Sequence, residues 1–362
     1  SDFTKIMNKK ESDKLISSLL QYWYAQHKRS LPWRETKAPY VVWISEIILQ
    51  QTRVNQGNDY FLRFIERFPD IKSLAEASED DVLKIWQGLG YYSRARNLYT
   101  AAKQVMEKFD GVFPSSYSDI LSLKGVGEYT AAAVASIVYN LPYPVVDGNV
   151  FRVLSRLFTI ETPIDSTIGK KYFNEIAQSI LDEQHPGDHN QAIMEFGALV
   201  CTPKQPKCTE CPLQSVCLAF EKKNVLNYPV KKGKTIQKER FFNYFHIEQN
   251  GYTYVKKRDN SDVWKNLYEF PLIETEEQND LLKLQENSGF SNLFHSVGEI
   301  YFQHKLRLKH ILSHRIIHAD FYRVELGQYN IFDIEKKFIK IKSASLFEYP
   351  VSRLIHKYLE II

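Results

Sequence analysis

The spacing of apolar residues along the first part of the chain predicts a domain built from helices alone. Apolar residues recur at intervals of three and four from Glu11 to about Lys28, which is typical of an amphipathic helix. A second helix is expected from Pro39 to Val54, since proline suits a first helical turn. The same periodicity, punctuated by Pro and Gly, predicts further helices over 58–68, 71–76, 80–87, 94–109, 117–121, 129–139, 149–158, 168–183 and 189–200.

The pattern changes after Cys217. The segment 222–240 is rich in Lys and Arg and has no sustained apolar periodicity, which is typical of a linker. The runs beyond it predict strands over 241–248, 252–257, 297–302, 319–325 and 337–341, and helices over 276–286 and 351–359. The sequence therefore predicts an all-α domain over 7–221, a basic linker over 222–240 and a smaller α+β domain over 241–362.

Composition and charge indicate the general class of protein but do not identify its function. The chain has 362 residues, 44% hydrophobic and 25% charged, as expected of an ordinary globular protein of about two domains. It has no apolar run long enough to cross a bilayer and no apolar signal core at its start, so we expect an intracellular protein. A formal net charge of +4 is compatible with a nucleic-acid partner but does not require one.

A glycine turn and an aspartate mark the middle of the helical region. Gly125 and Gly127 allow a tight turn and leave backbone N–H groups where a phosphate can bind, although an ordinary interhelical turn is the simpler explanation. Asp147 precedes the helix that begins near Asn149, so we expect a helix N-terminus to keep its carboxylate ionised. Asp147 could be a simple N-cap. Beside a bound sugar, however, it could stabilise an oxocarbenium ion or trap it covalently.

Glu46 is the one acidic residue in the apolar helix pattern that begins at Pro39. Burial among such neighbours raises a carboxyl pKa, so that the group can act as a general acid near neutral pH. A lone glutamate on a helix is more often solvated, but Val42, Trp43 and Leu49 occupy adjacent helical positions. Glu46 is therefore a candidate acid to complement an aspartate.

The cysteines are confined to one short segment with the spacing C-x6-C-x2-C-x5-C, namely Cys201, Cys208, Cys211 and Cys217. In an intracellular chain, such clustering favours a metal centre over disulfides. Four thiolates could hold zinc, but structural zinc sites more often have two short C-x2-4-C pairs, and this segment has one. A cubane iron-sulfur cluster also takes four cysteines.

Several motifs, in one order over residues 11–221, resemble the helix-hairpin-helix DNA glycosylase superfamily and, within it, MutY-type adenine DNA glycosylases. They are LPWR, SEIILQQTRV, GLGYYSRARNL, LKGVGEYTAAAV, VVDGNVFRVLSR, and GALVC with the cysteine cluster. That family removes adenine mispaired with 8-oxoguanine. The resemblance therefore implies a cytoplasmic, nucleoid-associated repair enzyme that acts as a monomer on double-stranded DNA containing an 8-oxoguanine:adenine mispair.

The resemblance also implies the roles of the catalytic residues. The family's essential glutamate falls on Glu46 and its hairpin aspartate on Asp147, with Tyr129 and Asn149 orienting the site. Glu46 would protonate a ring nitrogen of a flipped adenine while Asp147 stabilises the positive sugar. Superfamily members that also cut the strand have a lysine where this chain has Tyr129. Because tyrosine cannot form a Schiff base, the resemblance implies a monofunctional hydrolase.

The remaining implied sites bind DNA or a cofactor. The resemblance implies a [4Fe-4S] cluster on the four cysteines, and contacts of the DNA backbone with Gly125 and Gly127. Gln51 and Tyr91 match residues that wedge into the base stack, whereas Trp33, Arg34 and others match positions around the adenine pocket. The implied substrate-binding residues are Trp33, Arg34, Leu49, Gln50, Gln51, Thr52, Tyr91, Gln191, Ser313 and His314.

The C-terminal domain resembles a Nudix-like domain, with NLYEFP as its landmark loop. The paired glutamates of a hydrolytic Nudix helix are not assembled around Glu286, and a metal-dependent diphosphatase needs clustered carboxylates. The resemblance therefore implies recognition of 8-oxoguanine without hydrolysis, through a loop that ends Ser313-His314. A serine hydroxyl can both donate and accept a hydrogen bond at the altered edge of the base. The family's phenylalanine before that serine is Leu312 here.

Two other functions compete with this one. An endonuclease III-like glycosylase and lyase acting on oxidised pyrimidines is opposed by Tyr129 and by the extra domain. A noncatalytic iron-sulfur DNA-binding protein is opposed by the presence of both Glu46 and Asp147. A second metal site on His304, His310, His314 and His318 is a weaker hypothesis, because histidines scattered over strand and loop patterns are more often ordinary polar residues.

Overall fold

The computed structural model of the chain describes residues 9–233, 237–259, 262–295, 299–326 and 332–362. The chain divides into two compact units. Unit 1 comprises Ser1–Ala75 and Thr100–Gly233, and unit 2 comprises Glu76–Tyr99 and Lys234–Ile362. Each unit is therefore assembled from two separate stretches of chain. No helix among the described residues is long and apolar enough to span a membrane.

Helices and short turns make up the described chain before residue 234, and the predicted helical region is confirmed. The helices are α1 Lys9–His27, α2 Pro39–Leu49, α3 Val54–Arg67, α4 Ile71–Glu76, α5 Glu79–Trp86, α6 Ser93–Lys108, α7 Tyr117–Ser122, α8 Glu128–Tyr139, α9 Gly148–Phe158, α10 Thr167–Ile180, α11 Pro186–Leu199 and α12 Leu218–Glu221. Each predicted helix is present, with small shifts at its ends.

Helix α2 ends earlier than predicted, at Leu49 rather than Val54. Gln51 has a left-handed backbone conformation with φ of 56°, and a right-handed helix cannot continue through it. Helix α3 then begins at Val54. The prediction was wrong here because no Pro or Gly marks the break. Helix α10 likewise ends at Ile180 instead of residue 183, because Leu181 is already extended.

Helices α7 and α8 form a hairpin around the turn 123–127. Gly125 has φ of 76°, a left-handed conformation that glycine adopts without steric cost. Gly127 is the N-cap of α8 and has no side chain with which to cap the first-turn N–H groups. From Thr130 to Ser136, α8 is buried continuously. The first residue of α8 is exposed and the second is half-buried, so the helix enters the interior of unit 1 from Thr130 onwards.

The main core of unit 1 joins helices α1, α9, α10 and α11. Among its buried side chains are Leu20, Leu154 and Phe173. The first turn of α9 packs closely against Gly197 on α11. A methyl group added to Gly197 would lie only 2.7 Å from Asn149 Cβ. This close approach sets the position of the first turn of α9.

Unit 2 contains a mixed sheet of seven strands among its described residues. The strands are β1 Lys238–Gln249, β2 Tyr252–Lys257, β3 Tyr268–Glu269, β4 Leu272–Thr275, β5 Ile300–Ile311, β6 Arg315–Leu326 and β7 Ile339–Lys342. Strand β1 runs parallel to β6, and β6 pairs antiparallel with β5. An aromatic core that includes Phe245, Phe290 and Tyr322 covers part of the sheet.

The helices of unit 2 after the first strands are α13 Leu281–Gln285, α14 Ser288–Phe294, α15 Phe332–Lys337 and α16 Arg353–Leu359. The predicted α+β class is confirmed. The strand predicted over 297–302 begins outside the described residues, and the described strand starts at Ile300 and continues to Ile311. The helix predicted over 276–286 is reduced to α13. Helices α14 and α15 and strands β3 and β4 were not predicted.

Parts of the segment predicted as a basic linker are held by hydrogen bonds. In unit 1, the Arg156 guanidinium donates to the carbonyl oxygens of Val225 and Tyr228 at 3.1 and 3.3 Å. The N–H of Ile164 donates to the Val230 carbonyl at 3.0 Å. In unit 2, residues 238–240 belong to β1. The domain boundaries at 221 and 241 stay a prediction. The first two residues of the predicted all-α domain, 7 and 8, lie outside the described part of the chain.

Replacing Gly197 by alanine is expected to destabilise the protein by about 1–3 kcal/mol, because the added methyl group overlaps Asn149. Gly148→Ala is the matched control, since no atom lies within 4 Å of a methyl group there. That variant should be as stable as the parent or more stable by up to about 1 kcal/mol. Urea unfolding of the three proteins measures both effects. A Gly197→Ala variant as stable as the parent would contradict the close approach of α9 and α11.

Candidate active site

A partly enclosed cavity of about 160 Å³ lies between α2, α8, α11 and the N-terminus of α9 in unit 1. It collects most of the residues that the sequence predicted for catalysis and for the adenine pocket. Those that line it are Trp33, Arg34, Glu46, Leu49, Thr52, Tyr129, Asp147, Asn149 and Gln191. A concave site with converging polar groups is the usual form of an active site.

Glu46 projects from α2 and is buried, with 8% of its surface exposed. The Tyr129 hydroxyl donates a hydrogen bond to Glu46 Oε2 at 2.7 Å. Burial raises the pKa of Glu46 to about 7, and the nearby Asp147 also raises it, whereas the Tyr129 hydrogen bond and Arg34 lower it. Near neutral pH, Glu46 can therefore both hold and release a proton.

Asp147 is the N-cap of α9. Its Oδ1 accepts from the N–H of Val150 at 2.7 Å, and its Oδ2 accepts from Asn149 Nδ2 at 2.9 Å. Burial raises the pKa of Asp147, while these two hydrogen bonds lower it. The expectation that the helix N-terminus would keep this carboxylate ionised was therefore incomplete, because it left out the burial. Asn149 is in turn held by Arg152, which donates to its Oδ1 at 2.8 Å.

Tyr129 is the second residue of α8, directly after the hairpin turn. Burial raises its pKa well above the ordinary value, and the neighbouring Glu46 and Asp147 raise it further. The hydroxyl therefore keeps its proton and acts as a donor. A phenol in this position can orient a carboxyl group but cannot form a Schiff base with a sugar.

An ion-pair network in the wall of this cavity was missed by the sequence analysis. Glu195 on α11 is 1% exposed and accepts bidentate hydrogen bonds from both Arg29 and Arg34, at 2.7 to 3.0 Å. Although burial raises the pKa of Glu195, the two arginines lower it to about 2. Glu195 is the one charged residue in the apolar run 192–199. The same kind of pattern identified Glu46, so it could also have identified Glu195.

Two of the residues of unit 1 that were predicted to bind substrate do not line this cavity. Gln50 donates from Nε2 to the Thr130 hydroxyl at 2.9 Å, so its side chain joins α2 to α8. Gln51 is exposed at the break between α2 and α3. Leu49 before them and Thr52 after them line the cavity, so only the two glutamines at the helix break lie outside it.

The four cysteines line a second, smaller cavity in unit 1 and are half-buried, unpaired thiols. Arg156 Nη1 lies 3.3 Å from Cys201 Sγ, and a cation in this position offsets the charge of a thiolate site. Among the described residues, no three His, Cys, Asp or Glu side chains converge as a single metal ion requires.

Tyr91, Ser313 and His314 line a surface cavity of about 740 Å³ in unit 2. Tyr91 Oη lies 3.2 Å from Ser313 Oγ, within hydrogen-bonding distance. The turn between β5 and β6 is closed by the N–H of Leu312, which donates to the Arg315 carbonyl at 2.8 Å. Leu312 is thus held by its backbone. The turn presents the serine and histidine side by side.

The histidines considered as a second metal site have other partners. His304 Nε2 lies 2.7 Å from Asp320 Oδ1, and His318 Nε2 lies 3.2 Å from Glu239 Oε1. His310 packs against Trp264. These contacts divide the histidines among separate neighbours.

Two family models match the chain. Residues 44–179 match the HhH-GPD superfamily base excision DNA repair protein, and residues 243–361 match the NUDIX domain. The first match covers the hairpin and both buried carboxylates. The second covers most of the described sheet of unit 2.

Two relatives that are similar to this chain over most of its length are adenine DNA glycosylases. The adenine DNA glycosylase of Buchnera aphidicola subsp. Acyrthosiphon pisum is 39% identical over 308 residues, which is 84% of this chain and 85% of the relative. The mouse adenine DNA glycosylase is 34% identical over 86% of this chain and 70% of its own length. Among solved structures, a thermostable thymine-DNA glycosylase matches with a TM-score of 0.55 at 28% identity, over 59% of this chain and 98% of that chain.

An endonuclease III solved in a non-covalent complex with DNA shares the fold, with a TM-score of 0.52 at 21% identity over 60% of this chain and 99% of that chain. The helical fold and the family match make the chain a base-excision DNA glycosylase of the HhH-GPD superfamily. Within that class, the chain belongs to the adenine DNA glycosylase family. It is therefore a hydrolase that acts on an N-glycosyl bond in DNA and serves base excision repair of adenine.

The raised pKa of Glu46 predicts a pH-dependent stability. Because the folded value of about 7 lies above the ordinary 4.5, stability from this group is fully present below about pH 4.5 and is lost as the pH rises through 7. Glutamine stays neutral. Glu46→Gln should therefore gain stability relative to the parent between pH 5 and pH 8, by up to about 3 kcal/mol.

Thermal unfolding at several pH values measures this gain. Glu175→Gln is the control, since it removes an exposed carboxylate of α10 and should change stability by less than about 0.5 kcal/mol throughout. A constant difference between Glu46→Gln and the parent over the whole range would contradict a pKa near 7.

Proposed function

We propose that the protein hydrolyses the N-glycosidic bond of adenine mispaired with 8-oxoguanine, or with G, in duplex DNA. The observation that carries this proposal is the hydrogen bond of 2.7 Å between Tyr129 and the buried Glu46, beside Asp147 in the same cavity. A carboxyl group with a pKa near 7 is suited to donate a proton, and a second carboxylate is suited to stabilise a cation. Hydrolysis of a glycosidic bond needs both.

The reaction begins with the adenine flipped out of the duplex into the cavity. Glu46 transfers its proton to a ring nitrogen, and the base leaves with the electron pair of the C1′–N bond. Asp147 stabilises the positive sugar, while Tyr129 and Asn149 hold the two carboxylates in place. Water then adds to C1′ and gives its proton to one of the carboxylates, which completes a monofunctional hydrolysis.

Adenine recognition falls to the remaining residues of the cavity. Trp33 is buried and packs edge-on against Phe61, so it offers a rigid aromatic wall. Arg34 supplies fixed N–H donors, and Gln191 accepts a hydrogen bond from Tyr24 at 3.3 Å. Donors and acceptors with fixed directions select one base edge over another. Leu49 and Thr52 line the same cavity.

The opposite base is read by unit 2. Ser313 Oγ can donate to or accept from the edge of 8-oxoguanine, and His314 lies beside it in the same surface cavity. Gln51 in unit 1 and Tyr91 in unit 2 both have exposed side chains, and each is proposed to wedge into the base stack. The N–H groups at Gly125 and Gly127 bind the DNA backbone at the uncapped start of α8.

The cofactor in this proposal is a [4Fe-4S] cluster held by Cys201, Cys208, Cys211 and Cys217. The four thiols line one cavity, and Arg156 provides a compensating cation beside Cys201. When bound, such a cluster braces the loop structurally and supplies no step of the hydrolysis. We also propose that the protein acts as a monomer in the cytoplasm, associated with the nucleoid.

Single-turnover assays on three duplexes test the function, with A opposite 8-oxoguanine, A opposite G, and thymine glycol. Adenine should be released from the first two, faster from the lesion pair, and the rate should fall above about pH 7 as Glu46 loses its proton. Asp147→Asn should bind the duplex but lose turnover, by about a hundredfold or more.

Other outcomes separate the competing functions. Full activity of Asp147→Asn would sink the assignment of the aspartate. A protein–DNA adduct trapped by borohydride would favour an endonuclease III-like lyase. Absence of base release from every duplex would favour a noncatalytic DNA-binding protein.

Metal analysis of the purified protein tests the cofactor. We expect about four irons per chain and the broad visible absorption of an iron-sulfur cluster. Cys208→Ser should lower both the iron content and the thermal stability. A colourless protein with one bound zinc per chain would overturn this part of the proposal.

A further inference from the structure

We propose that Glu195 is a positioning residue that holds Arg29 and Arg34 in the wall of the adenine cavity and offsets their charge beside Glu46. The inference rests on the proposed function of Glu46 as the acid. It adds a residue to which the sequence and the resemblance gave no role.

The geometry of the network is specific to a carboxylate. Arg29 donates from Nε and Nη2 to Glu195 Oε1 and Oε2 at 2.8 and 2.7 Å, and its backbone N–H donates to Oε1 at 3.1 Å. Arg34 donates from Nη1 and Nη2 to Oε1 and Oε2 at 3.0 and 2.8 Å. One buried carboxylate on α11 thus fixes two guanidinium groups from the connection between α1 and α2. Neither arginine can swing into the cavity while these bonds persist.

The charges matter because all three groups line the cavity that contains Glu46. Two arginines and one ionised glutamate leave a net charge of +1 in the wall. Arg34 already lowers the pKa of Glu46. Without the negative charge of Glu195, the same wall would carry +2, and a stronger positive field would draw the proton from Glu46 at a lower pH. Glu195 therefore helps to keep the acid protonated at neutral pH.

The other ionisable groups that face Glu46 are accounted for. Tyr129 reaches it from α8 as a hydrogen-bond donor and lowers its pKa, whereas Asp147 at the start of α9 raises it. These two act directly on Glu46. The Arg29–Glu195–Arg34 network acts from the short turn that contains Arg34 and from α11, so its effect can be changed without altering the direct contacts.

A charge series separates this role from a merely structural ion pair. The measurement is single-turnover release of adenine from the A opposite 8-oxoguanine duplex as a function of pH. Glu195→Gln raises the wall charge to +2, and the alkaline limb of the profile should move to lower pH, with at least about a threefold greater loss of rate between pH 6 and pH 8 than in the parent. Arg29→Gln lowers the wall charge to zero, and the limb should move to higher pH.

Two further variants complete the series. The double variant Arg29→Gln/Glu195→Gln restores the net charge of +1, so its limb should return towards the parental position even if its maximal rate is lower. Glu195→Asp keeps the charge and should also keep the parental limb. Lys171→Gln, which removes one exposed positive charge on α10 outside the cavity, is the control and should not move the limb.

The outcomes are distinguishable. Equal loss of rate at every pH in Glu195→Gln, or shifts of the same sign in Glu195→Gln and Arg29→Gln, would overturn the inference while leaving the proposed function intact. If Glu195→Gln does not fold, Arg29→Gln decides, because Arg29 is one-third exposed and its loss is tolerated more easily; an unmoved limb then overturns the inference. A parent that releases no adenine would overturn the proposed function and this inference with it.

Discussion

The hydrogen bond between Tyr129 and Glu46 is the contact on which the arrangement of unit 1 depends. Tyr129 is the second residue of α8, directly after the hairpin turn, and Glu46 lies in the last turn of α2. Burial raises the pKa of Tyr129, so its hydroxyl keeps the proton that it donates to Glu46. Burial also raises the pKa of Glu46 to about 7, and its carboxyl oxygen accepts this hydrogen bond near neutral pH. One bond of 2.7 Å thereby sets the distance between the hairpin and the acid.

The same cavity holds three carboxyl groups in three different environments. Glu46 has one hydrogen-bond donor and a pKa near 7, whereas Glu195 has two arginines and a pKa near 2. Burial raises the pKa of Asp147, and hydrogen bonds from the first turn of α9 oppose the rise. Identical chemical groups thus acquire different protonation states from their neighbours alone, which is how one site can contain an acid and a stabilising anion.

Much of this could be predicted from residue patterns. Apolar spacing identified the helices, and a charge in an apolar run identified Glu46. The break at Gln51 could not be predicted, because a left-handed conformation at a non-glycine residue leaves no compositional mark. Glu195 had the same signal as Glu46, but its partners Arg29 and Arg34 are distant in sequence. Spacing along a chain does not report which helices fold against one another.

The make-up of unit 2 has a consequence for how the protein can be divided. Its described contacts join residues 76–99 to the C-terminal part of the chain: the Tyr92 hydroxyl donates to the Val351 carbonyl, and Arg96 donates to that of Lys265. During synthesis, residues 76–99 therefore leave the ribosome long before their partners exist. A chain cut near 233 would retain this stretch without the partners of Tyr92 and Arg96. Unit 2 is thus not one continuous segment that recombination could move as a whole.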